Sequence, residues 1–286
     1  MKFWKNPASL LNLLRPKTPP TVQTLTFQSF ALNRDVQLDV YLPPDYDAET
    51  RHVYPLVLFN DGQDLPRMDF QGILAEQFSS KKLPPFIAVG IYTSNERQRE
   101  YGTARQPDYK GRGDKAGTYT AFIIAELLPF LYRHYRLSDL SEDRAIAGFS
   151  LGGLSAFDIG WANPQIFGTI GVFSGALWWR WSHVKPEDPD ADRIMHHIVQ
   201  QTQVVDKNQY FWFQCGTLDE ADDRNNNGVI DSIDDTLDLM KALRHKGFHE
   251  ESMRYLEIED GHHDPETWGK AMPDFLGWAF VDEGDD

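Results

Sequence analysis

The sequence predicts an α/β fold: a mostly parallel sheet with helices on both faces, entered through an antiparallel hairpin. Three observations predict it. Residues 22–42 alternate apolar and polar, as half-buried antiparallel strands do. Farther on, short apolar runs without alternation recur, as expected of strands buried on both faces. Helical periodicities fall between those runs, and β-α-β-α order gives parallel sheets. The chain has 286 residues and is 41% apolar, enough for one large domain and a sizeable core.

Residues 1–20 read as an N-terminal arm and 21–286 as a single domain. In the arm, Lys2 and Lys5 precede Leu10-Leu11-Asn12-Leu13-Leu14. That run is too short and too interrupted for a secretory signal or a membrane span. The hairpin follows, turning at Asn33-Arg34-Asp35, and Pro43-Pro44 closes it. The first buried strand, 54–59, ends in Asn60-Asp61-Gly62. Similar runs stand at 86–92, 144–149, 169–173, 210–215 and 253–258. Residues 118–133 read as a helix with Thr118 as N-cap and Pro129 as a candidate kink. Further helices are read at 151–162, 190–203, 232–246 and 265–278, with Gly247 as a C-cap.

The net charge of −15 argues against nucleic acid or an anionic membrane as partner, since both are polyanions. A single cysteine, Cys215, excludes an intrachain disulfide framework. A cytoplasmic protein is expected, with a periplasmic or secreted location left open, and a homodimer is left open too. The expected partner is a small molecule.

The chemistry concentrates at Gly148-Phe149-Ser150-Leu151-Gly152, where an apolar strand runs into an apolar helix. At such an elbow the serine stands strained at the sheet end. Flanking glycines avoid clashes there, and the helix N-terminus supports a developing oxyanion. G-x-S-x-G alone arises by chance in roughly one chain in ten, so the strand-helix context carries the reading. A serine nucleophile needs a base and an orienting acid, in chain order Ser, acid, His. Asp219, a few residues past the run 210–215, is the favoured acid, with Glu220, Asp222 and Asp223 as rival candidates in the same loop. His262 and His263 follow the last strand, and either can be the base. The other histidines after Ser150 precede any acid or lie in or beside helices. Two backbone donors are expected for an oxyanion hole: the amide of Leu151 and that of Gln63 in the turn Asn60-Asp61-Gly62-Gln63.

Trp178 and Trp179, just past a strand end, are expected to wall a substrate pocket. Arg97, Arg99 and Tyr101 are candidates to contact a polar leaving group. Residues 223–234 match a calcium-loop template, with oxygen side chains Asp223, Asn225 and Asn227 at positions 1, 3 and 5. Gly228 stands at position 6, the Val229 carbonyl at 7 and Asp234 at 12, where a bidentate Glu is usual. A structural Ca²⁺ is expected there, and catalysis is expected to need no cofactor.

Several segments together resemble the esterase D and enterochelin-esterase-like family of α/β-hydrolases over residues 22 to 280. They are Tyr41-Leu42-Pro43-Pro44-Asp45-Tyr46, Asp61-Gly62-Gln63-Asp64, Glu126-Leu127-Leu128-Pro129, Ala147-Gly148-Phe149-Ser150-Leu151-Gly152-Gly153, Phe173-Ser174-Gly175, Cys215-Gly216-Thr217-Leu218-Asp219-Glu220 and Gly261-His262-His263-Asp264. The resemblance implies an α/β-hydrolase fold and cleavage of an ester or thioester through an acyl-enzyme on Ser150. It places the base at His263. His262 stands where the family carries a small residue, which would narrow the site, and the Asn/Asp-rich loop looks like an insertion. Acyl transfer to an alcohol would use the same triad. A non-catalytic binding module on this fold would predict a lost triad member, and all three candidates are present.

Overall fold

A computed structural model describes residues 19–44, 46 and 52–280. The expected arm lies, apart from residues 19 and 20, outside the described residues. The hairpin is β1 (Thr21–Ser29) and β2 (Arg34–Leu42). Then follow β3 (Leu56–Asn60), β4 (Ile87–Ile91), β5 (Arg144–Phe149), β6 (Thr169–Phe173), β7 (Tyr210–Leu218) and β8 (Met253–His262). They form one sheet in the order β1-β2-β4-β3-β5-β6-β7-β8. Pairing is antiparallel from β1 to β4 and parallel from β4 onward.

Strands β3 to β6 are buried at every residue, which explains their unalternating sequences. Alternate residues still face opposite layers. Leu56 and Leu58 point into one core with Phe122, Leu154 and Phe157, whereas Val57 and Phe59 join Phe70, Trp268 and Phe275 in the other. From β3 the chain crosses first to β4 on one side and later to β5 on the other. The carboxyl ends of β3 and β5 therefore border the crevice where such sheets place their sites.

The helices are α1 (Phe70–Ser79), α2 (Arg97–Glu100), α3, α4 (Leu151–Ala162), α5 (Ile194–Gln201), α6 (Asp231–His245) and α7 (Pro265–Phe280). Helix α3 runs through Ala116–Ala121, a π-helical turn Phe122–Leu127 and Leu128–His134. It starts before Thr118, with Lys115 at the cap position, so the expected Thr118 cap is corrected. Pro129 has no N–H to give the preceding turn, and the widened π turn falls just before it. Helix α5 is shorter than 190–203 because Arg193 and Thr202 are extended. Helix α1 was not anticipated. Its apolar stripe is short, and Asp69 caps it, the side chain accepting from the Gly72 amide. Gly247 ends α6 at φ 84°, as expected of a C-cap. No helix among the described residues is long and apolar enough to cross a membrane.

Candidate active site

Ser150 stands between β5 and α4 at φ 56°, ψ −122°, a strained conformation for a residue with a side chain. Hydrogen bonds hold it there. Its N–H donates to the Phe173 carbonyl at 2.9 Å, and its own carbonyl accepts from Gly153 and Ala176, both at 3.0 Å. A Cβ at Gly148 would overlap the Gly152 carbonyl, and one at Gly152 would overlap the Asp61 carboxylate. Both glycines of the motif are thus required by close approach.

The turn after β3 lies against this elbow. Asp61 adopts the left-handed conformation, φ 60°, ψ 45°, and opens the short helical turn Gly62–Asp64. Gly62 packs on the backbone of Gly90, where a Cβ would collide with the neighbouring strand. Gln63 and Leu151 each occupy the first turn of a helical segment, where an amide has no intrahelical acceptor. The Gln63 side chain is pinned at both ends: Nε2 donates to Asp61 at 3.0 Å, and Oε1 accepts from the Thr93 amide at 3.2 Å.

Strands β7 and β8 run longer than their apolar cores because they pair to the end, with a bulge between Gly216 and Leu218. The last pair is Leu218 with His262, so Asp219 and His263 are the next residues on adjacent strands. Asp219 is buried, and its oxygens make no hydrogen bond of ordinary geometry among the described residues. Burial raises its pKa, while the Gly216 backbone, the Ser174 hydroxyl and His263 favour its charged form. His263 keeps an open face to solvent and meets Trp268 edge-on at 5.5 Å. Surrounding protein pulls its pKa below the ordinary imidazole value; Asp219 opposes this, and Arg97 adds to the lowering. Trp268 donates to Ser174 Oγ at 3.0 Å, and the His262 amide donates to Thr267 Oγ1 at 2.9 Å. Helix α7 thus anchors the histidine loop.

The expected substrate contacts divide. Trp178 is half-buried and lines a cavity of about 370 Å³ with Tyr109, Arg180, Glu220 and Arg224. This cavity lies between the loop after β6 and the loop carrying Asp219. Burial pushes the Glu220 carboxyl up to about 7. His262 is exposed beside His263. Tyr101 and Trp179, by contrast, are fully buried, which corrects the expectation that they touch substrate. The Tyr101 hydroxyl accepts from the Asp61 amide at 3.0 Å, and Trp179 packs against Gly102 and Gly113. Arg99 turns outward to Asp114 and Glu96. Arg97 instead reaches inward and pairs with Asp61 at 2.7 Å, a link across 36 residues that no local pattern announces. The bond between Trp268 and Ser174 likewise joins residues far apart in sequence, which no local pattern announces.

The Asn/Asp-rich loop winds on itself. The Asp223 carboxylate accepts from the amides of Asn227 and Gly228, at 3.1 and 2.9 Å, and Asn227 Oδ1 accepts from Val229 at 2.8 Å. Gly228 has φ 87° at the sharp turn. Asp234 accepts from the side-chain amides of Asn225 and Asn227, at 3.1 and 2.6 Å. No group of three or more His, Cys, Asp or Glu side chains among the described residues converges as a metal site. A cation here would therefore need the amide and carbonyl oxygens as well. Those donors are all hard oxygens, which suit Ca²⁺.

A strained strand-to-helix serine at the switch point of a mostly parallel sheet defines an α/β-hydrolase-type fold. The Putative esterase family matches residues 29–279, and the chain belongs to that family of carboxylic ester hydrolases. It is 25% identical over 227 residues to the uncharacterized protein YjcH of Bacillus subtilis, covering 79% of this chain and 85% of that one. It is 24% identical over 261 residues to the endo-1,4-beta-xylanase/feruloyl esterase of Xylanibacter ruminicola, covering 88% of this chain and 30% of that one. The enterobactin esterase of Shigella flexneri shares the fold with a TM-score of 0.73 at 20% identity. That match covers 93% of this chain, which spans only 60% of the length of the Shigella protein.

Proposed function

We propose that the protein is a serine esterase that cleaves a small-molecule carboxylic ester through an acyl-enzyme on Ser150. The observation carrying the reading is the strained Ser150 elbow, with Asp219 and His263 following a paired Leu218 and His262 on neighbouring strands. In the proposed reaction His263 takes the Ser150 proton as Oγ attacks the ester carbonyl. Asp219 orients the imidazole and stabilises its charged form. The amides of Leu151 and Gln63 receive the oxyanion. His263 then protonates the departing alcohol, and water, deprotonated by His263, releases the acyl group. Trp178 and His262 are proposed to border the substrate.

The test is an ester panel varying acyl chain and leaving group, with fluorophosphonate labelling, on wild type and Ser150→Ala. The expected loss on substitution is about 10⁴-fold or more, with labelling abolished. Full turnover by Ser150→Ala would sink the reading.

The loop from Asp223 is further proposed to hold a structural Ca²⁺ through Asp223, Asn225, Asn227, the Val229 carbonyl and Asp234. Its all-oxygen donors and the left-handed Gly228 support this. Bound there, the ion would stiffen the loop that leads from Asp219 into α6 and take no part in the reaction.

A further inference from the structure

A fully buried carboxylate is costly unless a partner compensates it. Asp61 is such a group, and Arg97 satisfies it with a two-pronged pair, Nε to Oδ1 and Nη2 to Oδ2, both at 2.7 Å. The Arg97 side chain remains 31% exposed, so the pair sits at the edge of the site rather than deep in the core. Its Nη2 also reaches the Phe149 carbonyl at 3.4 Å. One guanidinium therefore touches both segments that carry the proposed oxyanion donors. Asp61 lies two residues before Gln63, and Phe149 lies two residues before Leu151.

Other contacts tie the same two segments together. The Asp61 amide donates to Tyr101, which the Arg97 guanidinium overlies at 5.3 Å. Asn60 Nδ2 donates to the Gly152 carbonyl at 2.9 Å, while its Oδ1 accepts from Tyr119 at 2.8 Å. These bonds fix the strand ends. Among the described residues, Arg97 is the side chain that bonds both the Asp61 carboxylate and the Phe149 carbonyl, and its positive charge favours the neutral form of His263. Buried ion pairs seldom add stability over apolar replacements. What a planar fork supplies is fixed geometry, and a lysine cannot reproduce it.

We propose that Arg97 is a positioning residue that holds the two backbone donors of the oxyanion hole in register, through Asp61 on one side and the Phe149 carbonyl on the other. The proposal rests on the esterase reading above. Misplacing such donors weakens binding of the tetrahedral state more than binding of the ground-state ester.

The experiment compares wild type, Arg97→Lys and Arg97→Gln, with melting temperature and near-UV circular dichroism checking the fold. Steady-state kinetics on one p-nitrophenyl ester are paired with inhibition by an alkylboronic acid, which forms a tetrahedral adduct on serine. Arg97→Lys is expected to lower kcat about 10- to 100-fold, with KM within about threefold of wild type. The boronate inhibition constant should rise by the factor lost in kcat/KM. An unchanged kcat, a loss confined to KM, or unchanged boronate affinity would overturn the proposal. Collapse of the fold in both variants would also overturn it, by assigning Arg97 to stability. If wild type neither turns over any ester nor reacts with a fluorophosphonate, the esterase reading fails. If wild type is active and Arg97→Lys matches it, only the Arg97 proposal fails.

Discussion

In the proposed reaction His263 acts as the base only while neutral, so its surroundings would set the acid limb of the pH profile. Packing around the ring lowers its pKa, Asp219 and Asp264 raise it, and Arg97 lowers it. The net direction is downward from the ordinary value near 6.5. As pH falls through this lowered pKa, the ring protonates and activity is lost. The expected outcome is a kcat/KM profile flat through neutral pH, with its acid midpoint below about 6.5. In Arg97→Gln that midpoint should move up, because a lowering influence has gone. A wild-type midpoint above 7 would contradict the assignment of His263.

At the scale of elements, the elbow is a junction where backbone approaches backbone too closely for a side chain. A methyl at Gly148 meets the Gly152 carbonyl and lies 3.0 Å from the Asn60 Cβ. No side-chain rotation relieves a clash with backbone, so β5 and α4 must move apart. Gly148→Ala is expected to cost about 1–3 kcal/mol and to reduce fluorophosphonate labelling. Gly277, in α7, has nothing within 4 Å of its would-be Cβ. Gly277→Ala is expected to stabilise by about 0.5–1 kcal/mol and leave labelling intact. Thermal melts of the two variants check both signs; equal destabilisation would refute the account of the elbow.

Over the whole molecule, the excess of acidic groups makes the proposed Ca²⁺ loop more than a local matter. The chain carries −15, and four of its acidic groups, Asp222, Asp223, Asp231 and Asp234, fall within a short span of the loop. Arg224, at the second loop position, is turned to Asp190, Asp231 and Asp235. It therefore neutralises the flank of the loop rather than Asp223 and Asp234. A cation bound only by the folded loop would raise stability by about 2.7 kcal/mol at a hundredfold excess over its Kd. Calorimetric titration should show Ca²⁺ uptake, and the melting temperature should rise with Ca²⁺ and fall back with chelator. Asp223→Ala should abolish both effects. No uptake, or an equal rise with NaCl alone, would remove the ion from the account.

The sequence by itself determined the α/β order of elements and the strand-to-helix elbow at Ser150. Strands β3, β5 and β6 are legible because burial on both faces demands unbroken apolar runs, and Gly148 and Gly152 because close backbone approach admits no side chain. The proposed acid, Asp219, and base, His263, were legible only as positions after strands. Their neighbourhood depended on tertiary structure, because the pairing of Leu218 with His262 extends two strands beyond their apolar signal. Tertiary structure also took Tyr101 and Trp179 out of the pocket and turned Arg97 inward to Asp61. Sequence periodicity reports which face of an element is buried. It does not report which distant residue completes a buried charge, because that depends on how the strands are ordered in the sheet.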